Sequence, residues 1–175
     1  LGLYDLAVAQ GETFPHALKL PMKAVLVSPH FLFRIEEDPK NPEEVRLLND
    51  FELATRLSYF LWSSMPDEEL FQLAEKGQLR QPGVLEAQVR RMLKDPKAKA
   101  LSENFAGQWL QLRNLQTLQP DKGLFPAWDE LLRQSMIREA ELYFEYIVQN
   151  DRSILEFLDS NYTFVNGRLA RHYGI

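Results

Sequence analysis

The chain is 175 residues long, 45% hydrophobic and 26% charged, with 25 acidic against 20 basic side chains and a formal charge of -5. That is enough apolar material for a core, and the mild acidic balance argues against a phosphate-backbone binder, so no nucleic-acid partner is expected. The absence of cysteine excludes a disulfide framework and a thiolate metal site, and no apolar run approaches the roughly 18 residues that span a bilayer as a helix.

Residues 1–13, with Gly2 and Gly11, read as the tail of a preceding helix followed by a loop. Leu18, Met22, Val25 and Leu26 predict a helix over 14–27, which Pro21 either kinks or starts. Ser28-Pro29 ends it, because the residue before proline is driven out of the helical region. The stretch 31–35 stands between a short extended piece and one more helical turn, and 36–44, with Pro39 and Pro42, reads as a solvated loop. Asn49 with Glu52 forms a capping box. The helix it opens carries Phe51, Ala54, Leu57, Ser58 and Leu61 on one broad face. Ser64-Met65-Pro66-Asp67 stops that helix and starts the next, which runs through Leu70, Leu73 and Ala74 to a Gly77 cap.

Pro82 opens a further helix with Leu85, Val89, Met92 and Leu93 inward, and Asp95-Pro96 breaks it and caps a successor. In that successor Ala98, Leu101, Phe105, Trp109 and Leu112 form a stripe, followed by loop signals over 116–125. The best single helix is predicted over about 126–149, with Trp128, Leu132, Met136, Ala140, Tyr143 and Ile147 on one side. Ser153 with Glu156 is another capping box, and a last short helix runs from Asn166 to about Tyr173, closed by Gly174. Strand signals are nearly absent and no internal repeat is evident. The expected fold is all-α, an irregular multi-helix bundle of about seven to eight helices. Residues 1–45 read as the tail of a preceding helical domain plus linker and 46–175 as the bundle, with 14–35 either separate or part of the same compact unit. The ends, Leu1 and Tyr173-Gly174-Ile175, read as those of a piece of a longer polypeptide.

Catalytic groupings are scarce. Glu139, Glu141 and Glu145 cluster on the long helix, and two carboxylates are the minimum for a di-metal or acid–base site. A ferritin-like centre needs Glu-x-x-His on paired helices, and no histidine lies between His30 and His172, so the cluster reads as a solvated acidic face relieved by Arg138. No metal ligands and no catalytic residues are assigned. His30 and His172 are each a ligand or proton carrier, or a cap or core-edge histidine; the lack of a partner nearby in sequence favours the second reading. The G-x-S-x-G elbow, Walker loop and dinucleotide loop are missing. Trp62, Trp109 and Trp128 either line a ligand groove or sit in the core, and their helical spacing favours the core. Asp159-Ser160-Asn161-Tyr162-Thr163 is dense enough in polar groups for a binding surface and equally suited to Asx-type turn chemistry, the favoured reading.

Three segments together carry a resemblance: AVLVSPHFLFR at 24–34, ELATRLSYFLWSSMPD at 52–67, and DSNYTFVN at 159–166 continuing through RLA at 168–170 to HYG at 172–174. They resemble the planctomycete-type domain of unknown function 1592, with the end of the adjoining 1595 domain before it, over nearly the whole chain. Gly167 stands where the family pattern has a larger polar residue. The resemblance implies a piece of a large exported, periplasmic or envelope protein that shares its polypeptide with a c-type cytochrome module and further domains. It supplies no agreed catalytic residues. This chain lacks the CxxCH of c-type haem attachment, so haem would belong to a neighbouring domain and no cofactor is expected here. The expected function is a non-catalytic scaffold or interaction domain whose partners are adjacent domains of the same polypeptide. The alternative is a subdomain of an oxidoreductase or polysaccharide-processing enzyme, in which His30, Arg34, Asn161, Tyr162 and His172 contribute to a cleft completed by other domains.

Overall fold

Four helices of the chain start where a side-chain acceptor, Asn49, Asp67, Asp129 or Asn166, precedes an apolar run. The computed structural model describes residues 2–36, 38, 39, 41 and 43–175, and among them there are nine α-helical segments and no strand. The chain divides into two compact units, Leu1–Leu48 and Asn49–Ile175.

In the first unit, α1 (Gly2–Ala9) packs against α2 (Phe14–Leu26), and the single turn α3 (Pro29–Leu32) follows. Gly11, at φ +85°, lets the Glu12 N–H reach back to the Ala7 carbonyl (3.2 Å) and so closes α1. Pro21 lacks the N–H for one helical bond, yet α2 runs through it from Phe14. Of the two readings of 31–35, helix holds as far as Leu32 and the backbone is extended from Phe33. The loop expected over 36–44 contains residues 37, 40 and 42, which like Leu1 lie outside the described residues.

Among the described residues of this unit only Ala7 and Ala17 are buried, while Leu6, Phe14, Met22, Val25 and Phe31 are exposed. Burying two methyl groups contributes far less than the entropy lost in ordering two helices. A peptide of residues 1–48 is therefore expected to show little helix and no cooperative melting by far-ultraviolet circular dichroism, whereas 49–175 melts cooperatively. A sigmoidal melt of the shorter peptide would refute this.

The second unit is built from α4 (Asp50–Trp62), α5 (Glu68–Glu75), α6 (Val84–Lys94), α7 (Gly107–Trp109), α8 (Glu130–Gln149) and α9 (Gly167–Tyr173). Asn49 forms the full capping box: its side chain accepts from the Glu52 N–H (2.8 Å), and the Glu52 carboxylate accepts from the Asn49 N–H (2.7 Å). Side-chain oxygens of Asp67, Asp129 and Asn166 cap α5, α8 and α9. Ala54, Leu61 and Trp62 of α4 share a core with Leu70, Ala74, Leu79, Met92, Leu101 and Phe144. Helix α8 packs on α6 and α9 and contributes buried Leu132, Phe144 and Ile147.

Four local expectations are corrected. Phe51 is exposed, and the buried residues of α4 are Glu52, Ala54, Ser58, Leu61 and Trp62. The helix expected after Asp95-Pro96 is irregular: a 3-10 turn (Pro96–Ala98), then a π-helix (Leu101–Ala106), then α7. A π turn carries one residue more than the α register allows, so burial passes to Ser102, Ala106 and Gly107, and Phe105 and Trp109 face outward. Helix α8 begins at Glu130 rather than near 126, because Asp129 is the residue able to accept the Leu132 N–H (2.6 Å); its 20 residues span about 30 Å. Ser153 caps only the 3-10 turn Ile154–Phe157, and Glu156 uses its carboxylate elsewhere.

Candidate functional site

The densest polar bonding of the second unit lies along α8. Glu139 accepts from Thr163 Oγ1 (2.6 Å) and from the Tyr173 hydroxyl (2.7 Å). Burial, that hydrogen bond and the Glu139 charge push the Tyr173 phenol up to about 12. Glu141 and Glu145 share Arg138 (3.0 Å each), and Glu145 also accepts from Ser102 Oγ (2.8 Å). The side chains of Glu141 and Glu145 are only 15% and 16% exposed, so the face expected to be solvated is a packed polar seam. Its carboxylates hold elements together, and the groups they touch are arginine, serine, threonine and tyrosine rather than a paired base and nucleophile. Among the described residues no three His, Asp or Glu side chains are grouped closely enough to hold a metal ion.

Beyond the end of α8, Glu156 accepts from Arg152 (2.7 Å) and from the Tyr162 hydroxyl. Tyr162 is half-buried among Tyr143, Tyr146 and Phe164, with ring centroids 5.4–6.1 Å away, and the Arg152 guanidinium lies 5.7 Å from its ring. Burial, the hydrogen bond to Glu156 and that carboxylate's charge push its phenol up to about 12. The Arg152 and Tyr162 hydrogen bonds hold Glu156 below its ordinary value. In Glu156→Gln the Tyr162 phenol is expected to fall toward the ordinary value near 10. An ultraviolet phenolate titration, with Tyr162→Phe to assign the band, checks this; an unchanged late-titrating tyrosine would refute the pairing.

Two apolar features stand out. Phe60, Phe105 and Trp109 form a surface in which Phe105 meets Phe60 edge-on (6.2 Å) and stacks on Trp109 (5.9 Å). They are 59%, 46% and 55% exposed. Of the three tryptophans read as core, only Trp62 is buried, its Nε1–H donating to the Met92 carbonyl (2.9 Å). The second feature is a cavity of about 600 Å³ between residues 118–128, the start of α8 and α9, with Leu118, Leu124, Phe125, Trp128 and Met136 in its walls. Among the described residues His172 is the one titratable residue lining it. The loop signals over 116–125 are right as to backbone, but the apolar density of Leu118, Leu124, Phe125 and Trp128 is unusual for a solvated loop and is the trace this cavity leaves in the sequence.

Two of the five candidate residues belong to the first unit and three to the second. His30, in α3, and Arg34 are exposed in the first unit. Asn161 is exposed in the connection between the 3-10 turn and α9, and its neighbour Tyr162 packs on Tyr143 and Tyr146. His172 lies on α9 and borders the cavity with Leu132 and Met136. Met136 and Tyr143 are seven positions apart, so Tyr162 and His172 serve stretches of α8 about 10 Å apart along its axis.

Residues 48–175 match the family described as PSD4, protein of unknown function (DUF1592), and residues 1–36 match PSD5, protein of unknown function (DUF1595). The first match covers most of the chain, which therefore belongs to the DUF1592 family. No curated protein and no solved structure matches it.

Proposed function

We propose that this chain is a non-catalytic scaffold and interaction domain of a larger exported protein, docking on adjacent domains of the same polypeptide that include a c-type cytochrome module. The observation that carries the reading is the outward-facing Phe60–Phe105–Trp109 surface. Adjoining exposed aromatics rather than scattered apolar residues are what buried interface anchors are made of. The polar clusters along α8 support the same reading, since their bonds join α8 to the π-helix and to the segment leading into α9. No described helix is long and apolar enough to cross a membrane.

The test is association of the chain with the haem-bearing segment, measured by calorimetry. Trp109→Glu and Phe105→Glu are expected to weaken binding at least tenfold; because Phe105 also meets buried Phe144 and Trp109 meets Phe157, binding is measured well below each variant's own melting temperature. No association at high micromolar concentration, or association indifferent to both substitutions, would overturn the proposal. Binding of a soluble oligosaccharide on this same surface would favour the polysaccharide-processing alternative, whose stacking chemistry an exposed tryptophan suits.

A further inference from the structure

We infer that the cavity between residues 118–128, α8 and α9 is a binding site for a small, flat, mostly hydrophobic molecule carrying one acidic or hydrogen-bond-accepting group. Its volume of about 600 Å³ lies inside the range of small-molecule sites, roughly 300–1,000 Å³. A single anchoring side chain from a protein partner would leave much of it empty. The lining chemistry is that of such sites: aromatic walls from Phe125 and Trp128, an adaptable thioether from Met136, and one polar group, the His172 imidazole. Among the described residues that imidazole, which is exposed, has no hydrogen-bond partner within the chain; its ring lies 5.8 Å from that of Tyr173.

The walls are held in place without an occupant. Arg133 of α8 donates to the Leu118 carbonyl (3.2 Å) and sits 5.8 Å from the Trp128 ring centroid. Arg168 of α9 donates to the Ala127 carbonyl (2.5 Å) and pairs with Asp129 (3.1 Å). Within the loop, Asp121 accepts from the Gly123 N–H (2.6 Å), and its carbonyl accepts from the Phe125 N–H (2.8 Å). Two arginines and a capped turn thus pin a loop whose apolar side chains would otherwise collapse into the space, and a preformed site avoids the ordering cost that weakens binding. Arg133 Nε is also buried without an acceptor, consistent with bonds arranged around the loop rather than for the arginine itself.

The experiment titrates isotopically labelled chain with 2-naphthoate, neutral 2-naphthylmethanol and non-aromatic cyclohexanecarboxylate, followed by NMR. Saturable shifts are expected for the amides of residues 118–128, the Met136 methyl and the His172 ring. Naphthoate is expected to bind tightest and cyclohexanecarboxylate weakest. Met136→Trp fills the cavity and is expected to weaken both naphthyl probes at least tenfold. His172→Ala is expected to weaken naphthoate more than the alcohol. Should Met136→Trp not fold, Leu124→Glu decides: its position is exposed, and the added carboxylate is expected to weaken naphthoate at least fivefold. No saturable shift at millimolar probe, shifts centred on Phe105 and Trp109, or undiminished binding in a folded variant would each overturn the inference. The docking proposal rests on a different surface and survives or fails separately.

Discussion

Trp62→Ala is expected to destabilise the second unit by about 3–5 kcal/mol, the range for emptying a buried aromatic site. Trp62 closes α4 and is nearly fully buried, in one cluster with Leu70 of α5 and Met92 of α6. Its Nε1–H donates 2.9 Å to the Met92 carbonyl in the last turn of α6, which also accepts from the Asp95 N–H (3.2 Å). Lys97 Nζ and the Arg91 guanidinium stand 4.6 and 5.6 Å from its ring, adding cation–π attraction. Trp62→Phe separates the terms: it keeps most of the volume and removes the N–H, for an expected loss of about 1–2 kcal/mol. Urea unfolding followed by circular dichroism measures both, and a loss under about 1 kcal/mol for the alanine variant would show that the core is not centred there.

The second large effect is expected at Asp67, where one side chain serves two helices. One carboxylate oxygen caps α5 by accepting from the Leu70 N–H (3.0 Å), and both accept from Arg91 of α6 (2.7 and 3.1 Å). Losing a cap costs about 1 kcal/mol and losing a bidentate, partly buried pair about the same, so Asp67→Ala is expected to cost about 2 kcal/mol. Burial pushes the Asp67 carboxyl up, but the Arg91 hydrogen bond, the Leu70 N–H and the Arg91 and Lys97 charges together hold it below its ordinary value. A carboxyl depressed in the folded state contributes stability that is complete above its unfolded value near 4 and is lost as pH falls through the folded value. Asp67→Asn is therefore expected to be destabilising at pH 7 and to lose less stability than the parent chain between pH 5 and 2. Parallel acid-limb slopes would mean that other carboxylates carry the transition.

Helix starts were legible in the sequence because capping involves two or three neighbouring residues. Asn49, Asp67 and Asn166 each sit before the run they cap, and each accepts the N–H that the spacing predicts. Where Pro126, Ala127 and Trp128 offered no acceptor the start moved to the next residue that could accept, Asp129, and the helix expected from Pro82 starts at Val84, after Gly83. The phase of residues 101–109 was not legible, because a π turn is settled by what the segment meets on α4 and α8. Of the candidate site, the polar loop at Asn161 and Tyr162 was visible as a cluster of residue types. The partnership of Tyr162 with Glu156 was hidden behind a better-known use of Glu156 in a capping box. The cavity beside His172 could not be assembled from local pattern, since it joins residues about fifty positions apart, which no short-range spacing reveals.

The extra residue in the wider turn at Leu101–Ala106 means that which side chains face outward there is encoded by residue count as much as by residue type. A further residue inserted into that turn, which already holds the one extra position a π turn absorbs, would rotate the residues after it by about 100° and carry the Trp109 indole toward the interior. Its fluorescence would shift to the blue, and any molecule that grips the protein by this indole would lose its hold although no contacting residue had been exchanged. Insertion of a single codon, rather than substitution, is thus the change that would most abruptly erase this exterior.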